Sequence, residues 1–392
     1  MKLARSPLAL AVLLACGESG QPPQKKDPAP RVDPVAPQQA VAEVRSAVRC
    51  EECHEPYVRG WEASAHAQAA ASPYYRALGG GDDPRCDRCH QPLRAALDRD
   101  EPIHEEGVTC DACHAIRDVK LDAGVAAIDF DLTSNRKYGP LCDARDHYFH
   151  RVGCSSLHAE SRFCAACHTL AWPTQAGPKL PVITDFDEWQ ANDLNSSSCQ
   201  ECHMAGEPGE VARGWITREN VSRHDLFGND LELRRIGVSL RATLSPEEDA
   251  LWLDVEVTNL AAAHSIPAGL AGRRLVLLVR ALDPEGAELG REERSYARIL
   301  VDGEGQEAPF IRAIRVESDS RLAPGERRHE RFKVPAAAAS ASVEVLRRGV
   351  APAVAEALGI TPAADSQVAA VDVAIERKDR RYSGSGRRPR SP

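Results

Sequence analysis

One short motif, Cys-x-x-Cys-His, occurs five times in this chain of 392 residues. The copies are Cys50–His54, Cys86–His90, Cys110–His114, Cys164–His168 and Cys199–His203. They account for ten of the 13 cysteines and five of the 13 histidines. A motif that repeats at fixed spacing constrains the fold more strongly than composition does, because each copy has to adopt the same local geometry.

The spacing of the motif is that of a c-type haem attachment site. The two thiols form thioether bonds to the porphyrin, and the adjacent imidazole binds the iron as its proximal ligand. Zinc gives no reason for a histidine after every second cysteine, a redox dithiol needs one pair, and a disulfide framework explains neither the spacing nor the histidine. The sequence therefore predicts five covalently bound c-type haems. The predicted attachment cysteines are Cys50, Cys53, Cys86, Cys89, Cys110, Cys113, Cys164, Cys167, Cys199 and Cys202, and the predicted proximal ligands are His54, His90, His114, His168 and His203.

The first residues of the chain predict an export signal. Lys2 and Arg5 precede an apolar stretch, residues 7–14, which is too short to span a bilayer. The letters around Cys16, Leu-Leu-Ala-Cys-Gly, resemble a bacterial lipobox, which implies cleavage before Cys16 and attachment of lipid to its sulfur. We therefore expect a lipoprotein signal peptide over residues 1–16 and a membrane-anchored protein. An ordinary signal peptide with an incidental cysteine is the alternative.

Residues 17–45 are rich in proline, glutamine and mixed charge, and they are predicted to form a disordered tether. The formal net charge is −9, and each haem adds two propionates, which argues against nucleic acid as a partner. The expected location is the bacterial cell envelope, either the periplasm or the outer membrane and cell surface. The expected partners are redox proteins, either other cytochromes or a quinol-linked membrane complex.

All five motifs lie within residues 46–228. Few long apolar runs separate them, so we expect a mainly helical, loop-rich multihaem cytochrome domain in which the porphyrins supply much of the core. Haems at this density have too little polypeptide between them to be insulated from one another. The region therefore predicts a path for electrons.

Further segments around the motifs share a pattern with known proteins. They are Trp61-Glu-Ala-Ser-Ala-His66-Ala, Gly107-Val-Thr-Cys110, Tyr138-Gly-Pro followed by Ser161-Arg-Phe-Cys164, and Glu188-Trp189 before Cys199-Gln-Glu-Cys202-His-Met. They resemble W-x-x-S-x-H-A, G-V-T-C, Y-G-P…S-x-F-C and E-W…C-Q-x-C-H-M-P in the multihaem cytochromes related to the cytochrome c-554 family. The resemblance covers about residues 48–228. A fifth motif, a C-terminal extension and Ala205 in place of proline depart from the family pattern, so the pairing of haem ligands is not carried over.

Each haem iron has a second axial position, and six further histidines are candidates for it. His66 and His104 are the favoured distal ligands, and His224 lies in a segment that resembles the family's R-x-H-x-F-x-G. His150 and His158 compete within one segment, and His150 is preferred.

Four other residues have supporting roles in this interpretation. His147 is expected to contact a ligand or a propionate, and His329, within a basic run, to face solvent. Cys142 and Cys154 bracket eleven residues. An exported protein favours a disulfide between them, and two free buried thiols are the alternative.

Beyond residue 228 the cysteines disappear and apolar residues alternate with polar ones. Residues 251–258 show the alternation of a half-buried strand. Comparable patterns occur at residues 233–243, 274–280, 297–301, 311–317, 329–334 and 342–346. They predict an immunoglobulin-like antiparallel β-sandwich over residues 229–375, with a short helix at 351–359 and a disordered basic tail over 376–392. The predicted fold class is α+β and multidomain.

One loop of the predicted sandwich carries a candidate ligand. His264 lies in Asn259-Leu-Ala-Ala-Ala-His-Ser-Ile-Pro267-Ala-Gly269, directly after a strand. The segment resembles the N-x-x-x-G-H-x-x-P-x-G loop of related multihaem proteins with a β-domain, and Pro267 and Gly269 would fix the turn. A ligand here joins the sandwich to the haem domain. A loop histidine bonded to backbone is the alternative.

These features predict electron transfer through five haems, mostly with two histidine ligands, in a membrane-anchored lipoprotein. A first alternative is a reductase or oxidase of a small nitrogen or sulfur species at one five-coordinate haem, which the absence of a Cys-x-x-Cys-Lys motif disfavours. A second is a subunit of a haem-bearing filament or surface complex, assembled as a homo-oligomer through the β-domain. The carrier is preferred to the enzyme, so no residue is predicted to be catalytic.

Overall fold

A computed structural model of the protein describes residues 44–97, 101–122, 125–174, 177–192, 197–226, 236–247 and 250–376. The predicted signal peptide with Cys16, nearly all of the predicted tether and tail, and the predicted boundary at residues 228 and 229 lie outside these ranges. Within them, no helix is both long enough and apolar enough to cross a membrane.

Short helices dominate the first part of the described chain. They are α1 (Ala47–Glu62), α2 (Pro73–Ala77), α3 (Pro84–His90), α4 (Pro92–Leu97), α5 (Cys110–His114), α6 (Ser161–Ala165), α7 (Asp185–Gln190) and α8 (Cys199–His203), with 3₁₀ helices at Pro102–Glu106 and Ser156–Ala159. Ser72 and Asp83 cap α2 and α3 with their side chains, and Ser198 and Glu201 form a capping box. Helices α2 to α8 have five to seven residues each. Helices this short are not stable in isolation, so their stability comes from packing or from a bound group.

The same region also contains four small two-stranded sheets. The pairs are β1 (Ile116–Asp122) with β2 (Val125–Phe130), β3 (Arg136–Gly139) with β4 (Arg151–Cys154), β5 (Leu170–Trp172) with β6 (Leu180–Ile183), and β7 (Gly206–Glu210) with β8 (Thr217–Ser222). β3 and β4 run parallel, and the other pairs are antiparallel. The expectation of a mainly helical region misses these strands, because segments of three to seven residues carry too little alternation to be recognised.

Longer strands form the second part of the described chain. They are β9 (Val238–Glu247), β10 (Ala250–Asn259), β11 (Arg274–Leu282), β12 (Glu288–Tyr296), β13 (Arg298–Val301), β14 (Arg315–Asp319), β15 (Arg327–Val334), β16 (Ser340–Arg348) and β17 (Ser366–Ala374), with helix α9 (Pro352–Leu358) between β16 and β17. One antiparallel sheet has the order β15-β10-β9, another has the order β12-β11-β16-β17, and β13 pairs with β14. The seven predicted strands correspond to seven of these, and β12 and β17 are additional.

The two larger sheets share one hydrophobic core. Leu253, Val255 and Val257 of β10 are almost fully buried in it, as are Leu275 and Leu277 of β11. Successive side chains of a strand point to opposite faces, so this spacing of two residues buries one face of each sheet. The core contains 17 buried residues, whereas two clusters in the first part of the chain contain five and three.

A further apolar cluster joins the two parts of the chain. Leu180 and Val182 of β6 pack with Leu300 of β13. The carbonyl oxygen of Val182 also accepts a hydrogen bond from the backbone N–H of Ala271 at 2.9 Å. The described residues from 44 to 376 accordingly form one compact unit.

Replacing Leu253 by alanine tests the core of the larger sheets. The side chain is fully buried, so we expect the free energy of unfolding to fall by about 2–5 kcal/mol through lost burial and the cavity left behind. Leu260→Ala, at a leucine that is 64% exposed, is the matched control and should change it by less than about 0.5 kcal/mol. Denaturant titration followed by circular dichroism measures both. Equal losses in the two variants would contradict the assignment of this core.

Candidate haem sites

Each Cys-x-x-Cys-His motif lies on or next to a short helix. The first cysteines belong to α1, α3, α5, α6 and α8. Residues three and four positions apart share one face of a helix, so in α3, α5 and α8, which each contain a whole motif, the two thiols and the imidazole are directed to the same side. The ten thiols remain outside disulfide bonds, and the described ranges contain no group of three or more His, Cys, Asp or Glu residues that could hold a metal ion on its own. This geometry matches attachment to a porphyrin rather than a zinc site.

Three of the predicted proximal imidazoles are oriented by backbone carbonyls. In each, the Nδ1 atom donates to the carbonyl oxygen of a residue distant in sequence, which is Val211 for His54 (2.6 Å), Ala69 for His90 (3.1 Å) and Tyr138 for His114 (2.6 Å). Such bonds fix the ring orientation and leave the Nε2 atom for a metal. The three rings are therefore held in the form that an axial haem ligand requires.

Three of the predicted proximal imidazoles each lie near a second imidazole, and the distance between ring centres is the same in the three pairs. The ring centres are 6.3 Å apart in the pairs His54 and His150, His168 and His66, and His203 and His264. Two imidazoles that bind one metal ion need roughly 6 Å between ring centres, because each metal–nitrogen bond takes about 2 Å and each ring centre lies about 1 Å behind its nitrogen. The gaps therefore fit one iron each.

His114 has two imidazoles at this spacing. The ring centre of His158 lies 6.0 Å away and that of His224 lies 6.1 Å away. The Nδ1 atom of His224 donates to the carbonyl oxygen of Ser222 at 2.9 Å, which repeats the pattern of the proximal rings and leaves Nε2 free for a metal. In His158 the Nε2 atom contacts the carbonyl oxygen of Cys113 instead, at 3.3 Å. The buried Nδ1 atom of His158 has no hydrogen-bond partner among the described residues.

The motif that ends in His90 packs against a tyrosine. The ring of Tyr75 stacks on His90 with 4.5 Å between centres, and its hydroxyl donates to Asp87 at 2.5 Å. Burial and the hydrogen bond to Asp87 raise the pKa of Tyr75, which keeps the hydroxyl protonated. This role of Tyr75 could not be predicted, since the residue lies in a segment outside the motifs. His104, another predicted distal ligand, is buried on the 3₁₀ helix Pro102–Glu106.

Burial keeps several candidate ligands neutral. Desolvation, together with the smaller effect of neighbouring histidines, lowers the pKa of His66, His158, His203 and His224 to about 4 in each case. A metal-binding imidazole must be unprotonated at the binding nitrogen. These side chains are therefore in the required state at neutral pH.

The remaining predicted residues lie near the sites or on the surface. His147 stacks on Tyr148, with 4.2 Å between ring centres. His329 is exposed and lies 3.5 Å from Glu256. A disulfide joins Cys142 to Cys154, with 4.6 Å between the Cα atoms.

Two carboxylates of helix α7 hold the loop that carries His264. Glu188 accepts a hydrogen bond from the backbone N–H of Ser265 at 2.8 Å, and Asp185 accepts one from the N–H of Gly269 at 2.8 Å. Arg321 pairs with the same Glu188 at 2.5 Å. The loop is thereby tied to the first part of the chain at two positions that follow His264.

These carboxylates were not predicted as site residues. In the sequence, Glu188 was noted only as part of the Glu188-Trp189 resemblance and Asp185 not at all, and Arg321 lies 133 positions after Glu188. Only the folded chain brings them together. The Nδ1 atom of His168 also lies 3.5 Å from Asp185.

Comparison with known proteins relates part of the chain to one family. The model of the family described as "Cytochrome c554 and c-prime" matches residues 49–115. The chain is a multihaem c-type cytochrome related to the c554 family. It binds c-type haem, and its family indicates electron transfer.

Solved structures show which fold the cytochrome shares. A penta-heme cytochrome c552 from Thermochromatium tepidum matches with 22% identity and a TM-score of 0.70, over 84% of this chain and 99% of that chain. The putative ApaA protein from Bordetella pertussis matches with 16% identity and a TM-score of 0.20, over 36% of this chain and 94% of that chain. No curated protein sequence matches. The likeness to the penta-heme cytochrome covers both parts of the chain and shows their common fold.

The ion pair between Arg321 and Glu188 is expected to stabilise the cytochrome. The side chain of Arg321 is 6% exposed and that of Glu188 is 20% exposed. Arg321→Ala should therefore lower the free energy of unfolding by about 1–3 kcal/mol, because Arg298 alone then balances the partly buried carboxylate. Denaturant titration measures the loss.

Arg331→Ala is the matched control for this experiment. Arg331 pairs with Glu247 at a surface position where the side chains are 44% and 51% exposed. Its loss should lower the free energy of unfolding by less than about 1 kcal/mol. A larger effect at Arg331 than at Arg321 would mean that the ion pair between Arg321 and Glu188 does not stabilise the contact between helix α7 and the C-terminal sheets.

Proposed function

We propose that the cytochrome carries electrons through five covalently attached c-type haems, most of them held between two histidines. Bound haem supplies an iron that changes between the ferric and ferrous states by one electron. The paired imidazoles with 6.0–6.3 Å between ring centres support this proposal most directly. Two imidazoles on one iron leave no position for a substrate, so such a site exchanges electrons and does no other chemistry.

The pairs suggest an assignment of distal ligands. We assign His150 to the site of His54, His66 to that of His168, His264 to that of His203, and His224 to that of His114. His104 is then the remaining candidate for the site of His90. His158 would lie against the third site without binding its iron, in contact with the backbone of Cys113.

Contacts between attachment cysteines support an order for the five sites. The thiols of Cys50 and Cys110 interact, which places the first and third motifs side by side. The fourth motif adjoins the second and the fifth, because the thiol of Cys167 interacts with that of Cys89 and the thiol of Cys164 with that of Cys199. Cys164 and Cys167 also interact electrostatically with Cys113 of the third motif. We propose a branched path in which the third site connects the first to the fourth, and the second and fifth sites both adjoin the fourth.

The environment of the cytochrome is proposed from the sequence. The lipobox-like segment at Cys16 and the tether that follows it support a lipid-anchored protein of the bacterial cell envelope, with other cytochromes or a quinol-linked complex as redox partners. The two sheets that share a core support an immunoglobulin-like sandwich in the C-terminal region. His264 faces His203 of its own chain, so the pairing favours docking within one subunit over a ligand shared between subunits of a filament.

Mass and spin state test the proposed function. The intact mass of the purified protein should exceed that of the polypeptide by five haems. The ferric protein should give low-spin electron paramagnetic resonance signals, because two imidazoles on each iron produce a strong ligand field. Fewer haems, or a high-spin signal that shifts on addition of nitrite or hydroxylamine, would overturn the proposal of a pure electron carrier.

His264→Ala tests the ligand proposed from the C-terminal region. The variant should convert one low-spin haem to a high-spin form, and free imidazole should restore the low-spin signal by occupying the vacated position. His329→Ala removes an exposed histidine of the same region and should leave all signals unchanged. An unchanged spectrum for His264→Ala would show that His264 is a loop residue.

A further inference from the structure

The fourth motif differs from the first three in what its proximal imidazole contacts. The Nδ1 atoms of His54, His90 and His114 donate to neutral backbone carbonyls. The Nδ1 atom of His168 instead lies 3.5 Å from the Oδ2 atom of Asp185, at the start of helix α7. The acceptor at this site therefore carries a negative charge.

The position of Asp185 is fixed from the other side. Its second oxygen, Oδ1, accepts the backbone N–H of Gly269 at 2.8 Å, and its side chain is 13% exposed. Its two oxygens thus face different partners, one in the first part of the chain and one in the loop that carries His264.

We propose that Asp185 is a positioning residue that makes the fourth haem more reducing than the haems of the first three motifs. A carboxylate that accepts the Nδ1 proton of a metal-binding histidine raises the basicity of that ligand. A more basic ligand, with a negative charge close behind it, stabilises the ferric over the ferrous state and lowers the reduction potential. The carbonyl acceptors at the first three motifs have a weaker effect, since they carry no net charge.

This inference rests on the proposed function and extends it. In the proposed order the fourth site adjoins the second, third and fifth sites. A low potential at this junction would leave it oxidised at equilibrium, with electrons resting on the branches. Transfer of an electron to the fourth haem would then be uphill in free energy, and the charge of Asp185 would determine the size of that step.

Potentiometric titration of the holoprotein tests the proposal. Asp185→Asn removes the charge but keeps a side chain of the same shape, and it should move the midpoint potential of one haem upwards while the others stay in place. Asp187→Asn is the matched control, because it removes a carboxylate from the same helix that instead accepts from the Thr169 hydroxyl at 2.7 Å. It should move no midpoint by a comparable amount.

Equal shifts in the two variants, or no shift with Asp185→Asn, would overturn the proposal. If Asp185→Asn does not assemble, the unaltered ferric protein decides the question. The rings of His66 and His168 are tilted 74° to each other, so the low-spin signal with the widest spread of g values is expected from the fourth site. During reductive titration that signal should disappear after at least three others, and its earlier disappearance would contradict the proposal. Haem content and spin state of the unaltered protein test the proposed function separately, so the two failures are distinguishable.

Discussion

The spacing between paired imidazoles determines how the first part of the chain is arranged. Each pair joins segments far apart in sequence, such as His54 with His150 and His203 with His264. The apolar clusters in this region contain few residues, and most of the helices have fewer than eight. In the proposed holoprotein, porphyrins and iron–nitrogen bonds therefore supply cohesion that a hydrophobic core supplies elsewhere.

Helix α7 connects this arrangement to the C-terminal sheets. Asp185 contacts a proximal imidazole and the loop of His264, and Glu188 contacts that loop and Arg321. The two carboxylates lie on one short helix, so a displacement of the sheets would move both. The environment of the fourth site and the position of the ligand proposed for the fifth are thus coupled through a few hydrogen bonds.

What could be predicted from the sequence was mostly local. The Cys-x-x-Cys-His motif is recognisable because attachment depends on five consecutive residues, and the long strands are recognisable because alternation extends over several positions, as in β10. Strand β12 is hidden by its charged residues at Glu288–Tyr296, since its exposed positions outnumber its buried ones. Strand β17 is hidden by small alanines that alternate weakly.

The pairing of ligands and the role of supporting residues could not be predicted in this way. Six candidate distal histidines could be named from the sequence, but which ring faces which depends on contacts across as many as 110 positions, as for His114 and His224. Tyr75 and Asp185 have ordinary sequence contexts and become notable only through the rings that they contact. The difference between a neutral and a charged acceptor behind a histidine is likewise a property of the folded chain.

The two parts of the chain also differ in what their stability requires. The larger sheets bury 17 residues in one core, so they have the means to fold without a cofactor. The helices of the motifs are too short to be stable without packing partners or a bound group. Attachment at a motif needs only local sequence, whereas the ring of His264 reaches His203 only when the sheets have docked on helix α7. In the proposed assignment, the C-terminal sheets therefore supply the distal ligand of the fifth haem, and that iron is bound by two histidines only after the sheets have docked on the first part of the chain.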